Sequence, residues 1–120
     1  TDGHLTIEDG RRITRRLLNQ PSRPTALLCA NDEMALGAMH EIKLAGLSVP
    51  GDISVIGFDD IRYAEISDPP LTTIAQPGEE IGEKSLYKLC NIIAGQAIDN
   101  KTDVVEHQLI IRSSTAPAVL

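Results

Sequence analysis

The stretch TALLCANDEMALGAMHEIKLAGLSVPGDISVIGFDD, residues 25–60, decides the fold. Its two ends, 25–30 and 53–58, are short apolar runs typical of strands that are buried on both faces of a sheet. Between them, apolar residues recur at helical spacing from Asp32 to Ala45, and Gly46 supplies a C-terminal stop. A strand, a helix and a second strand in this order predict a right-handed crossover unit of a parallel sheet.

The flanking sequence continues the alternation of helices and strands. Thr6 and Asp9 resemble a capping box and predict a helix over 7–19. After residue 60 the pattern predicts a helical turn at 61–66, a strand at 71–74, a helix at 79–94 and a strand at 104–111. The sequence therefore predicts an α/β fold with a doubly wound parallel sheet.

Size and composition narrow the class of protein. A chain of 120 residues corresponds to one domain or less. Its formal charge of −6 repels a phosphate backbone, which disfavours direct contact with nucleic acid. No leader and no apolar run of membrane-spanning length is present, so we expect a cytoplasmic location and no membrane partner. The chain opens in mid-pattern without an initiating methionine, which indicates a longer parent protein.

Two groups of side chains are interpreted as structural. Cys29 and Cys90 sit in apolar stretches without a Cys-x-x-Cys pattern, so we predict that both are reduced and buried. The four arginines of the first helix, at positions 11, 12, 15 and 16, are predicted to form a solvated face opposite Ile13 and Leu17. A disulfide or a metal site is the alternative for the two cysteines.

Polar residues follow three of the predicted strands. Asn31 and Asp59 come directly after their strands, and Gln76 follows the third after one intervening residue. Ligands of open parallel sheets bind beyond the carboxyl ends of the strands. A carboxylate and two amides can bind hydroxyl groups or an amide-bearing base without reacting with them.

Each of these three residues also has a structural interpretation. Asn31 can serve only as the cap of the next helix, and Asp59 can brace its own loop by accepting from backbone amides. Gln76 can be a polar linker residue. The coincidence of all three at strand ends is what favours a small-molecule site.

Longer blocks of sequence point to a family. ANDEMALGAMHEIKLAGLSVPGDISVIGFDDI, residues 30–61, and DPPLTTIAQPGEEIG, residues 68–82, resemble the C-terminal region of the lactose-repressor (LacI) family of bacterial transcription regulators. The resemblance extends from DGRRITRRLL, at 9–18, to HQLIIRSST, at 107–115. Within that family, the C-terminal part of the chain is most similar to the cytidine repressor group.

The resemblance implies a partial fold of the type I periplasmic-binding-protein kind. Residues 1–120 would be the C-terminal part of an effector-binding domain, mostly one lobe, without the DNA-binding domain. The helix at 79–94 would belong to the other lobe, so its apolar face would lack cover here. Asn31, Asp59 and Gln76 match positions that contact the effector, a sugar or nucleoside, and operator DNA would be bound only through the missing N-terminal domain.

A subunit interface is also expected. The helix over 32–45 carries an excess of apolar residues, which predicts a symmetric homodimer built partly from Leu36, Met39 and His40. The implied function is therefore the effector-sensing and dimerisation region of a repressor.

Two other functions share features of this sequence. A periplasmic sugar-binding protein of a transporter would have the same fold and use the same strand-end residues. A carboxylate-dependent enzyme could use Asp59 and Asp60 as a pair. No Ser/His/Asp grouping, glycine-rich phosphate loop or metal-ligand cluster accompanies that pair, so we expect no enzyme, no cofactor and no metal.

Overall fold

Helices and strands alternate along the chain in the predicted order. The computed structural model describes residues 4–98 and 102–117. Within those ranges the elements are α1 Ile7–Leu18, β1 Ala26–Leu28, α2 Asp32–Leu44, β2 Ser54–Ile56, α3 Arg62–Ile66, β3 Thr73–Ala75, α4 Gly78–Ile93 and β4 Gln108–Ile110. β1 and β2 are shorter than the apolar runs at 25–30 and 53–58, of which the central residues are paired as strands. β3 extends one residue beyond its predicted run, and β4 includes only residues 108–110 of the run at 104–111.

The sheet is parallel where its register is resolved. β1 pairs with β2 through Ala26 to Ser54, Leu27 to Val55 and Leu28 to Ile56. Single parallel bridges then continue from β2 toward β3, between Ile56 and Thr72 and between Asp59 and Ala75. β3 and β4 form a second two-stranded sheet. The predicted α/β class with parallel strands is confirmed.

The chain divides into two units. The first comprises the residues up to Ala75 together with those from Leu109 onward, and the second spans Gln76–Gln108. No helix within the described residues is long and apolar enough to cross a membrane. The core lies in the first unit, where Ile42, Ile53 and Leu71 are fully buried.

α2 is the central helix of the first unit. The side chain of Asn31 caps its first turn, and Gly46 ends it with a φ of 75°, a left-handed conformation that glycine adopts without strain. Ala35, Ala38 and Ile42 are at most 1% exposed. The apolar excess of this helix, which predicted a subunit interface, therefore largely supplies the core of the chain itself.

α1 lies directly against α2. A Cβ atom at Gly10 would stand 2.2 Å from the carbonyl oxygen of Met34, and one at Gly37 would stand 2.1 Å from that of Ile7. Both distances are far below van der Waals contact, so the two backbones approach as closely as glycine permits.

Arginines of α1 bind a carboxylate of α2. Nε of Arg11 lies 2.8 Å from Oε1 of Glu41, and Arg15 donates to both carboxylate oxygens of Glu41 at 2.9 and 3.2 Å. Glu41 is only 5% exposed, and these bonds hold the pKa of its carboxyl below the ordinary value, the Arg15 bonds having the larger effect. The predicted solvated face is confirmed for Arg12, Arg15 and Arg16, which are exposed, whereas Arg11 is partly buried. In addition, Arg11 and Arg15 anchor one helix on the other.

The second unit has a different character. None of the 16 residues of α4 is buried. The prediction that Cys90 is buried was wrong, since it is exposed. The exposure expected of the apolar face is confirmed, and the apolar residues that are more than half exposed are Leu86, Tyr87, Leu89, Ile92 and Ile93. The assignment of this helix to another lobe stays a prediction.

Candidate functional site

Asn31 joins β1 to α2 and uses its side chain within the chain. Its Oδ1 accepts from the backbone amide of Met34 at 2.9 Å, and its Nδ2 donates to the carbonyl oxygen of Leu5 at 2.8 Å. The capping role is therefore present. An amide NH₂ group carries two hydrogens, so the bond to Leu5 does not exhaust its capacity to donate to a ligand.

Asp59 follows β2 in an unusual backbone conformation. Its φ is 110° and that of Asp60 is 53°, so two successive residues other than glycine lie in the left-handed region. Such conformations cost of order 1–3 kcal/mol each and persist only where the surroundings enforce them. The amide of Asp59 donates to the carbonyl oxygen of Ile74 at 2.9 Å, and the residue itself is exposed.

The two strand ends meet at one backbone hydrogen bond. The amide of Asp32 donates to the carbonyl oxygen of Phe58 at 2.8 Å. Asp32 follows Asn31 in the chain and Phe58 precedes Asp59, so both candidate residues lie one position from this bond. The structure therefore brings Asn31 and Asp59 to the same edge of the sheet, as the strand-end argument requires.

Gln76 is the first residue of the second unit. Its carbonyl oxygen accepts from the amide of Gly78 at 2.8 Å, just ahead of α4. Its side chain is exposed. Its role in an effector site stays a prediction.

Asp32 is a site residue that the sequence reasoning did not single out. Its carboxylate is fully buried, and Oδ2 accepts from the amide of Ile61 at 2.8 Å. Oδ1 accepts from the hydroxyl of Thr73, which is also fully buried. The sequence signal was weak, since an acidic residue at the start of a helix is ordinarily explained by the helix dipole alone.

Asp60 is committed to an ion pair with a later segment. Its Oδ1 accepts from Arg112 at 2.8 Å, and the guanidinium of Arg112 also donates to the carbonyl oxygen of Leu71 at 2.9 Å. The side chains are 28% and 17% exposed, so the pair is partly screened from water. In residues 4–98 and 102–117, no group of three or more histidine, cysteine or acidic side chains is placed to hold a metal ion.

The three residues predicted at a dimer interface differ in exposure. Met39 is 3% exposed and belongs to the core, while Leu36 is half-buried against that core. His40 is exposed. The surface that α2 offers to a partner here is therefore His40 with the exposed part of Leu36, and the interface itself stays a prediction.

Cys29 is an unreactive thiol. It is a free cysteine packed against the core, and burial raises its pKa to about 11, with a smaller contribution from the charge of Asp32. Since the thiolate is the nucleophile, the thiol form is inert at neutral pH. The prediction that Cys29 is reduced and buried is met only in part, since the cysteine is free but partly exposed.

The comparisons with known proteins agree with this architecture. The sequence profile of the family described as "Periplasmic binding protein-like domain" matches residues 2–115. The HTH-type transcriptional repressor CytR of Escherichia coli K12 is 45% identical over 94% of this chain and 33% of its own length. The ribose operon repressor of Haemophilus influenzae is 38% identical over 94% of this chain and 34% of its own length.

A solved structure also resembles this chain. The Lac repressor dimer bound to operator and the anti-inducer ONPF superposes with a TM-score of 0.84 and 40% identity, over 92% of this chain and 38% of that one. The chain spans about a third of the length of the curated relatives it matches. It belongs to the periplasmic binding protein-like domain family and, within that family, to the LacI family.

Proposed function

We propose that this chain is the effector-sensing region of a bacterial transcriptional repressor. It would bind a small sugar or nucleoside in a cleft between two lobes and thereby modulate operator binding by a helix-turn-helix domain elsewhere in the protein. The observation that carries the proposal is the meeting of Asn31 and Asp59 at one sheet edge, through the bond between Asp32 and Phe58. The relatives named as repressors support the regulatory role.

Each site residue has a distinct part in this proposal. The Asp59 carboxylate would accept hydrogen bonds from ligand hydroxyls, and such charge-assisted bonds are worth roughly 1.5–3 kcal/mol each. Asn31 would donate through the second hydrogen of its amide. Gln76 would contribute an amide that both donates and accepts. None of these groups performs chemistry on the ligand, so the region acts by binding and not as an enzyme.

The proposal includes the assembly of the protein. Residues 1–120 would form the C-terminal part of the effector-binding domain, with the helix at 79–94 serving the second lobe. The protein would be a cytoplasmic homodimer that uses His40 and the exposed part of Leu36, whereas Met39, also predicted at the interface, is 3% exposed and belongs to the core. The solved Lac repressor is described as a dimer bound to operator, which supports this arrangement.

Replacing Asp59 tests the proposal. Asp59→Asn keeps the size of the side chain and removes its charge, so we expect effector affinity to fall by about tenfold or more, the size of one charge-assisted bond. The experiment is a calorimetric titration of the full-length protein with D-ribose, cytidine and related sugars and nucleosides.

Asp68→Asn is the matched control. It removes the same charge from a side chain that is 94% exposed and pairs with Lys43, and it should leave affinity unchanged. Near-normal affinity in a well-folded Asp59→Asn protein would contradict the assigned role of Asp59. Failure of the wild-type protein to bind any of these compounds would contradict the proposed effector class.

A further inference from the structure

We infer that Asp32 is a positioning residue for effector binding, which acts by holding the turn that carries Asp59. The inference rests on the proposed function, because Asp59 is taken to contact the effector. Asp32 itself is fully buried and would not contact the ligand.

Asp32 bonds directly to both sides of the turn. Its amide donates to the carbonyl oxygen of Phe58 at 2.8 Å, and its Oδ2 accepts from the amide of Ile61 at 2.8 Å. Phe58 and Ile61 are the residues that flank Asp59 and Asp60. One residue at the start of α2 therefore fixes the entry and the exit of the two-residue turn.

Thr73 provides a second connection inside the turn. Its hydroxyl donates to Oδ1 of Asp32 and accepts from the amide of Asp60 at 3.4 Å. A hydroxyl has a single hydrogen, so donation to the carboxylate orients its lone pairs toward the amide. The carboxylate of Asp32 thus orients the Thr73 hydroxyl so that it can accept from the amide of Asp60.

Gly57 makes room for this carboxylate. A Cβ atom at position 57 would stand 2.0 Å from Oδ1 of Asp32. The residue that follows β2 and the first residue of α2 are therefore fitted to each other near Asn31 and Asp59. A carboxylate in this place needs a glycine opposite it, which is a requirement that helix capping alone does not impose.

The turn needs this support because of its conformation. Asp59 and Asp60 have φ values of 110° and 53°, which are costly for residues other than glycine. Without the bonds from Asp32 and Thr73, the backbone would relax toward ordinary φ values. The Asp59 carboxylate would then be displaced from its place at the sheet edge, so the effect of Asp32 on affinity must pass through Asp59.

The test compares two buried carboxylates of the same kind in the full-length protein. Asp9, at the start of α1, is 8% exposed and also accepts from a backbone amide, that of His4, and from a threonine hydroxyl, that of Thr6. Asp32→Asn and Asp9→Asn each remove the charge of a buried carboxylate near a helix start, and Asp9 in addition pairs with Arg12. Only the first should affect the turn.

Amide hydrogen exchange tests, without any ligand, whether Asp32 and Thr73 hold the turn at Asp59 and Asp60. In Asp32→Asn we expect the amides of Asp60 and Ile61 to exchange about tenfold faster or more, because a bond to a charged acceptor is lost. Asp9→Asn should leave these amides unchanged. Unchanged exchange in Asp32→Asn would overturn the inference. Should that variant fail to fold, Thr73→Val removes the hydroxyl that links Asp32 to the amide of Asp60. Unchanged exchange of the Asp60 amide in Thr73→Val would overturn the inference equally.

Titration with D-ribose and cytidine tests the positioning role. We expect Asp32→Asn to weaken binding by about tenfold when Asp59 is present and to have little further effect in the Asp59→Asn background, since coupled residues are not additive. An equal loss in both backgrounds would mean a general structural effect and would overturn the inference. If exchange changes as expected but neither probe binds the wild-type protein, Asp32 does support the turn and the proposed function is wrong.

Discussion

α2 and α4 are both helices with apolar residues at helical spacing, yet they occupy opposite environments. Seven of the 13 residues of α2 are buried, and none of the 16 residues of α4 is. Periodicity therefore predicts that a helix forms without predicting that it is covered. Cover depends on what packs against the helix, and for α2 that is α1 together with the core strands.

The largest expected difference between the two helices is in core packing. Ile42→Ala in α2 empties space around a side chain that is 0% exposed, and such changes cost about 2–5 kcal/mol. Leu89→Ala in α4 alters a side chain that is already 52% exposed, so its cost should be about 1 kcal/mol or less. Urea unfolding of the 120-residue chain measures the loss of unfolding free energy in each variant. Equal losses would show that Leu89 of α4 is packed as well as Ile42 of α2.

Replacing a helical glycine by alanine should destabilise the fold in α2 and stabilise it in α4. Gly37→Ala drives a Cβ to 2.1 Å from the carbonyl oxygen of Ile7, and overpacking of this kind costs about 1–3 kcal/mol. At Gly82 in α4 an added Cβ meets nothing within 4 Å, so Gly82→Ala should stabilise by about 0.5–1 kcal/mol through helix propensity. Thermal unfolding of the Gly37→Ala and Gly82→Ala variants measures both effects. A destabilising Gly82→Ala would show that other atoms pack against α4 at this position.

The smallest expected difference between α2 and α4 is in how much their carboxylates make the stability of the fold depend on pH. The bonds from Arg15 and Arg11 lower the pKa of Glu41 in the folded chain, so this carboxylate stabilises the fold above its ordinary pKa. That contribution is lost as the pH falls from the ordinary value through the lowered one. Asp9 behaves alike, since its bonds to Arg12 and to the His4 amide lower its pKa to about 2.

The matched variants for this effect are Glu41→Gln and Glu80→Gln. Glu80 pairs with Lys84 on the surface of α4, where both side chains are nearly half exposed and water screens the pair. The melting temperature measured between pH 7 and pH 3 should fall less steeply in Glu41→Gln than in the wild type, and should follow the wild type in Glu80→Gln. Identical slopes in all three proteins would contradict a stabilising role for Glu41.

Local signals were sufficient to predict the order of the elements. The caps at Thr6 and Asn31 and the stop at Gly46 lie where the sequence indicated. These features depend on residues within one turn of each other, so single-sequence patterns contain them. The strand-end placement of Asn31 and Asp59 was also predictable, because it follows from the order of strand and helix alone.

Contacts between distant segments were not predictable in this way. Arg15 meets Glu41 across 26 positions, and Asp32 meets Thr73 across 41. In the sequence each of these residues looks like an ordinary charged or polar residue of a helix or strand. The exposure of Cys90 was missed for the related reason that an apolar neighbourhood in sequence does not guarantee one in space.

The difference between α2 and α4 can be measured by hydrogen exchange in the 120-residue chain alone and in the full-length protein. α2 is buried by its own unit, whereas we expect α4 to be buried by a part of the protein outside this chain. We predict that α2 amides are equally protected in both proteins, and that α4 amides gain protection of about a hundredfold in the full-length protein, as buried elements do relative to locally opening ones. Equal protection of α4 in the two proteins would contradict this prediction.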